Sequence, residues 1–214
     1  MIAQPAKSLS TQYVECVRND KGEDVASREV KTPVFTSKTG VRAFGVVAAA
    51  KISPGGCQNR TALYIAQPRG SFQLVYQQGT EPTHDGSVYD GNGIEAIRWS
   101  PSGKRVLVQI FQWIWGSDFG ENTKHVVFTT GDRKARVISP VEAIWKQFKQ
   151  PCTARIETTG WIDDDRIQLN LNPFVDTDEE GIRSSIPSCV KGTVKFSFDV
   201  DSGSLHMLAA AGSR

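Results

Sequence analysis

The residues able to do chemistry fall into four groups: three histidines, four cysteines, two acidic runs and one dense aromatic stretch. His84, His125 and His206 are far apart in sequence, so no pair has the short spacing of a local zinc site. His125 and His206 fall in strand-like sequence and are expected to be half-exposed. His84 sits in the polar loop Glu81-Pro82-Thr83-His84-Asp85-Gly86. A nucleophilic triad needs Ser or Cys beside His and an acid, and no G-x-S-x-G or related motif supplies one. Asp176-Thr177-Asp178-Glu179-Glu180-Gly181 opens like a calcium loop, but the twelfth position is Pro187, where a bidentate Glu is required. It reads as a solvated acidic loop, and Asp163-Asp164-Asp165 reads as a turn. No Gly-rich phosphate cradle occurs. The expectation is therefore a chain with no catalytic residues, no metal site and no cofactor.

The aromatic stretch is the best candidate for binding. Ile110-Phe111-Gln112-Trp113-Ile114-Trp115-Gly116-Ser117-Asp118-Phe119-Gly120 carries four aromatics within nine positions. On a strand, alternation puts Phe111, Trp113 and Trp115 on one face and Gln112 and Ile114 on the other. Rings supply contact area at small entropic cost, and Gly and Ser beside them let a surface adapt. The expected binding residues are Phe111, Trp113, Trp115, Asp118 and Phe119, with His84 from the neighbouring loop. Core packing or cover for a sheet edge is the other reading of the same aromatics.

Bulk properties narrow the partner. There are 25 basic and 23 acidic residues, a formal charge of +2. That balance offers no excess for tracking phosphates, so nucleic acid is not the expected partner. The longest apolar run, Ala43 to Ile52, includes Gly45 and Lys51 and falls far short of a membrane span. The start Met1-Ile2-Ala3-Gln4-Pro5 lacks the regions of a signal peptide, so export would require a leader already removed.

The elements that position these residues come in a repeating text. Leu63-Tyr64-Ile65-Ala66-Gln67, Pro68-Arg69-Gly70 and Ser71-Phe72-Gln73-Leu74-Val75 make a strand, a turn and a strand. Sixty-three positions on stand Val126-Val127-Phe128-Thr129-Thr130, Gly131-Asp132-Arg133 and Lys134-Ala135-Arg136-Val137-Ile138. A third copy runs Phe196-Ser197-Phe198-Asp199-Val200, Asp201-Ser202-Gly203, Ser204-Leu205-His206-Met207. Each is a β-hairpin pattern, apolar alternation around a Gly-bearing turn. Another hairpin precedes each, turning at Ser37-Lys38-Thr39-Gly40, at Ser100-Pro101-Ser102-Gly103 and at Asp163-Asp164-Asp165. The expected fold is all-β: three four-stranded antiparallel blade-like units, at about 12–78, 79–139 and 150–208, in one domain over 1–214. A β-sandwich is the alternative. Ser139-Pro140-Val141-Glu142 has capping-box residues with Pro at the first helical position. Val141, Ile144, Trp145 and Phe148 follow as an apolar stripe, so a helical linker is expected over 140–149.

Ile97-Arg98-Trp99-Ser100-Pro101-Ser102-Gly103-Lys104-Arg105-Val106-Leu107-Val108 resembles a TolB-type β-propeller repeat, in which Trp precedes Ser-Pro-Asp-Gly-Lys and an apolar strand. Ser102 stands where that repeat has Asp. The first unit lacks the Trp and Pro, and the third has Asp-Asp-Asp at the turn. The resemblance implies a propeller-like scaffold, partial or completed by a second chain, and implies no particular activity.

The repeat also orders the cysteines, whose four positions allow three pairings. Cys57 lies six residues before Leu63 and Cys189 seven before Phe196, so the two occupy matching places. Cys16 and Cys152 lead into the same two units, which predicts Cys16–Cys57 and Cys152–Cys189 with separations of 41 and 37. In the loop-entropy picture each stabilises by about 3–4 kcal/mol. Such pairing places the chain in the periplasm or outside the cell. The Asn59-Arg60-Thr61 sequon is short enough to arise by chance.

Together these features predict an extracytoplasmic, non-enzymatic protein that presents the loops Gly79–Gly93 and Gly116–Lys124 to a protein or glycan. A second reading is a glycan-acting hydrolase using Asp118 and Glu121 beside Trp113 and Trp115, which needs carboxylates about 5–10 Å apart. A third is a structural β protein that oligomerises, a homodimer closing the ring.

Overall fold

The computed structural model describes residues 14–52, 56–82, 88–89, 91–114, 122–149, 152–174 and 187–208. The described residues are almost entirely β, as expected. A ribbon of β1 (Val17–Arg18) and β2 (Asp24–Ala26) comes first. The first large sheet contains β3 (Arg28–Lys31), β4 (Phe35–Thr36), β5 (Arg42–Ile52), β6 (Gly56–Ala66) and β7 (Gln73–Gln78). A two-residue ladder follows, β8 (Glu81–Pro82) with β9 (Val88–Tyr89). The second large sheet is a meander of β10 (Gly91–Trp99), β11 (Arg105–Trp113), β12 (Asn122–Thr129) and β13 (Arg136–Ile138). After α1 (Pro140–Phe148), the third sheet is a meander of β14 (Ala154–Trp161), β15 (Arg166–Pro173), β16 (Val194–Asp199) and β17 (Leu205–Met207). None of the three closes on itself.

The first sheet departs from the expected four strands. β5 is eleven residues long, and two short strands share its edge: β3 pairs Val46–Ala49 and β4 pairs Arg42–Ala43. Pro33 separates them because it has no N–H to give a ladder. Thr32 bridges the break, its N–H donating to Gly45 O (2.9 Å) while its Oγ1 accepts from Gly45 N (2.9 Å).

The three inner turns are built alike. Ser37 Oγ accepts from Val41 N (3.1 Å), and Ser100 Oγ accepts from Arg105 N (3.2 Å). Gly40 and Gly103 follow three residues later at φ 81° and 80°, the left-handed region that favours glycine. In the third turn Asp163 Oδ1 does the serine's work, accepting from Asp165 N (3.0 Å) and Arg166 N (2.8 Å). Arg166 Nε donates to its other oxygen (2.8 Å), and this bond, more than any other cause, holds the Asp163 carboxyl below the usual carboxylate range. The Asp163 carboxylate is consumed by its own turn.

The chain divides into two compact units, residues 1–137 and 138–214. In the first, the inner face of the β3–β7 sheet and one face of the second sheet share a core. Val47, Ala49, Leu63, Ile65 and Val75 meet Ile94, Ile97, Val106, Val108, Ile110, Val126 and Phe128. Gly45 is what lets β5 approach β10: a Cβ there would overlap Ile94 Cδ1. Trp99 Nε1 donates to Phe35 O (3.0 Å) and Ala135 N to Val75 O (2.9 Å), tying the sheets at their rims. Cys16 bonds to Cys57, with Cα atoms 5.9 Å apart, and anchors Val14 and itself in this core.

In the second unit Ile167, Leu169, Leu171, Phe196 and Phe198 are buried on one sheet face. Arg155, Glu157, Thr159, Gln168, Asn170, Asn172 and Lys195 fill the other, the alternation of a half-solvated antiparallel sheet. Cys152 bonds to Cys189, Cα atoms 4.9 Å apart. Both pairings are those the sequence spacing predicts, and no described cysteine is free.

The helix forms as expected, with two corrections. Ser139 caps without a side-chain hydrogen bond, at φ −120°, ψ 87°. Trp145 is 47% exposed; its Nε1 donates to Cys152 O (3.1 Å), which fastens the ring outside the core. Pro140 and Ile144 are the buried positions, and Phe148 meets Phe196 edge-on at 6.3 Å. Lys149, at φ 55°, ends the helix in the left-handed conformation.

Candidate functional site

The candidate site is the end of the second sheet where β10 begins, β11 finishes and β12 begins. Register puts Gly91 opposite Trp113, Gly93 opposite Phe111 and Phe111 opposite Thr123. Two glycines facing two aromatics is the local logic: without side chains on β10, the rings can lie over its backbone. A Cβ on Gly91 would run into the Trp113 indole. Phe111 and Trp113 stack, centroids 5.6 Å apart and planes at 29°, and both stay half-buried. An offset pair of this kind is an apolar shelf with ring area still open to a ligand.

The opposite face of the same strand ends carries amides, a feature the sequence reading missed. Asn92 and Gln112 are fully buried and directly paired across β10 and β11. Gln112 Nε2 (3.4 Å) and Gln78 Nε2 (3.3 Å) both donate to Asn92 Oδ1, and Asn92 Nδ2 donates to Gly79 O (3.2 Å). Tyr76 OH donates to Gln78 Oε1 (2.6 Å). Asn59 and Thr61 of β6 complete the group at 1% exposure each. Asn59 Nδ2 donates to Val14 O (2.6 Å), whereas Asn59 Oδ1 and Thr61 Oγ1 have no partner among the described residues. The signal was present in the alternation, since Gln112 sits between two aromatics and Asn92 between two glycines. A buried amide network specifies one strand register at the root of the loops, and its members are costly to misplace. Burial of Asn59 also removes the sequon side chain from reach of any glycosylating enzyme in the folded chain.

His125 corrects a second expectation. It is 3% exposed rather than half-exposed, because the middles of β11 and β12 are buried on both faces, as Leu107, Val108, Gln109, Val126 and Val127 are, and a mid-strand histidine there is enclosed whichever way it points. Desolvation lowers its pKa to about 4, so it is neutral at physiological pH. It lies across from Gln109, whose Oε1 accepts from Arg98 Nη1 (2.7 Å). His206, in β17, is exposed.

Of the expected binding residues, Phe111 and Trp113 are brought together. Trp115, Asp118, Phe119 and His84 lie outside the described residues, as do Glu121 and the acidic stretch 176–181. Among the described residues no three His, Cys, Asp or Glu side chains converge as a metal site, and no helix is long and apolar enough to cross a membrane. The chain matches no protein-family description, no curated protein and no solved structure.

Proposed function

We propose that this chain is an extracytoplasmic, non-enzymatic binding protein built of three related propeller-like units of the TolB type, and that it holds a glycan or protein partner at the end of its second sheet. The stacked Phe111–Trp113 pair, with Trp113 against Gly91 and Phe111 opposite Gly93 in register, is the observation that carries the reading. A ring shelf at a strand end suits the apolar face of a sugar or an apolar side chain of a protein. The two disulfides support an oxidising compartment, the periplasm or the exterior of the cell.

The test is retention on arrayed glycans and, in parallel, on immobilised cell-surface proteins. Trp113→Ala and Phe111→Ala are expected to reduce retention by tenfold or more, about 1.4 kcal/mol each, with an unchanged unfolding midpoint. Retention indifferent to both substitutions would remove the shelf from the binding surface.

A further inference from the structure

An antiparallel sheet with one solvated face alternates apolar-in, polar-out, and β14–β16 obey that rule. β5 and β6 do not. Their inward residues, Val47, Ala49, Leu63 and Ile65, join the core of the first unit. Their outward residues are Phe44, Val46, Ala48 and Ala50 on β5, opposite Tyr64, Ala62, Arg60 and Gln58 of β6; Val46 and Ala62 are buried, while Phe44, Ala48, Ala50 and Tyr64 are half-buried. Leu74 of β7 adds to this outer face at 47% exposure. Phe44 and Tyr64 stack at 5.0 Å and 7°, Phe72 meets Phe44 edge-on at 4.7 Å, and Arg42 covers the Phe72 ring at 5.0 Å. The aromatic faces are thus spent on one another, forming a ridge. Beside it lies a floor of alanines, too smooth to grip a planar ligand and well shaped for another sheet.

Charge on this floor is arranged symmetrically. Ala48 pairs with Glu29 of β3 on one side and with Arg60 of β6 on the other, so an acid and a base flank one alanine in a single row. Both are exposed. Arg60 has no ion pair among the described residues, and Glu29 has only its exposed neighbour Lys31, at 3.6 Å. A two-fold axis laid along β5 above Ala48 carries each side of the row onto the other. Glu29 of one copy then faces Arg60 of the second, twice over, across the roughly 10 Å that separates packed sheets.

We infer that the outer face of the β3–β7 sheet is a self-complementary docking surface for a second copy of this chain, sheet against sheet. β5 and β6 are eleven residues each. At about 3.3 Å per residue and about 4.8 Å between strands, the face offers roughly 600 Å² per copy, or about 1,200 Å² in all, the lower bound of specific interfaces. The dimer is therefore reversible and concentration-dependent. This surface is separate from the Phe111–Trp113 shelf, so its test is independent of that reading.

Sedimentation equilibrium on the full oxidised chain reads the association. Wild-type protein is expected to shift from monomer to dimer with concentration, and Ala48→Arg to stay monomeric. Glu29→Arg and Arg60→Glu, at exposed positions that do not threaten folding, each break both symmetric contacts and raise Kd at least about tenfold. Combining them re-forms the pairs in reverse and restores Kd towards wild type. A wild-type chain still monomeric at about 1 mM overturns the inference. A dimer whose Kd ignores all three substitutions, or a double reversal no better than the single ones, overturns it equally.

Discussion

His125 is the residue whose burial has the most direct consequence. Its pKa in the folded chain is about 4 against 6.5 for an unperturbed histidine, and desolvation is the cause. Between those values the unfolded chain binds a proton that the folded chain refuses. The stability linked to this group is therefore complete above pH 6.5 and is lost as pH falls towards 4. The loss amounts to about 3 kcal/mol. Urea midpoints measured from pH 7.5 to 4 should fall steeply for the wild type and less steeply for His125→Gln, the difference isolating this residue from the carboxylates. Parallel slopes would show that His125 carries no such linkage. A second prediction concerns Gly91. Gly91→Ala forces the indole of Trp113 off β10 and parts it from Phe111, so ligand retention should drop as in Trp113→Ala while the fold survives; retained binding would mean that the stack is not the contact. The Phe111 and Trp113 side of this site was legible because strand alternation alone assigns their shared face. Their dependence on Gly91 and Gly93 was not, since it arises from cross-strand register, which a single strand's sequence does not carry.

At the scale of elements, legibility followed locality. Hairpins, inner turns and the helix are specified by residues within a few positions of one another, and these formed where expected. The two disulfides were legible because Cys57 and Cys189 stand at like distances before the apolar stretches that begin at Leu63 and Phe196. The split of β5's edge between β3 and β4 depends on one proline and its neighbouring threonine, and the amide network depends on four strands converging. Neither has a local pattern. Close approach of β5 to β10 is another such long-range fact, and it is testable. Gly45→Ala places a methyl where Ile94 Cδ1 sits, and overpacking of this kind costs about 1–3 kcal/mol. Removing that Cδ1 with Ile94→Val should recover much of the loss in the double variant, although Ile94→Val alone destabilises. Simple addition of the two costs, measured by denaturant unfolding, would mean that the strands do not touch at this point.

At the scale of the molecule, the three sheets are spaced evenly along the chain, and the first two share one core. Residues 1–137 form one compact unit and 138–214 another, and nothing in the even spacing of the hairpins marks that division. The reason is physical: which faces meet is decided by side chains such as Ile94, Ile97 and Val108, whose apolar character is the same whether they pack forward or backward along the chain. Within the first unit the shared core makes a definite demand. Val47, Leu63 and Ile65 of one sheet share a core with Ile94, Val108 and Ile110 of the other, and the Cys16–Cys57 bond clamps the leading segment into it. The two sheets should therefore open as one cooperative body. Ile94→Ala, a truncation costing about 2–5 kcal/mol at a fully buried site, should lower the hydrogen-exchange protection of β5 and β6 by the same free energy as that of β11 and β12. Loss confined to β10–β12, with β5 and β6 still protected at the wild-type level, would show two separate bodies where the packing describes one.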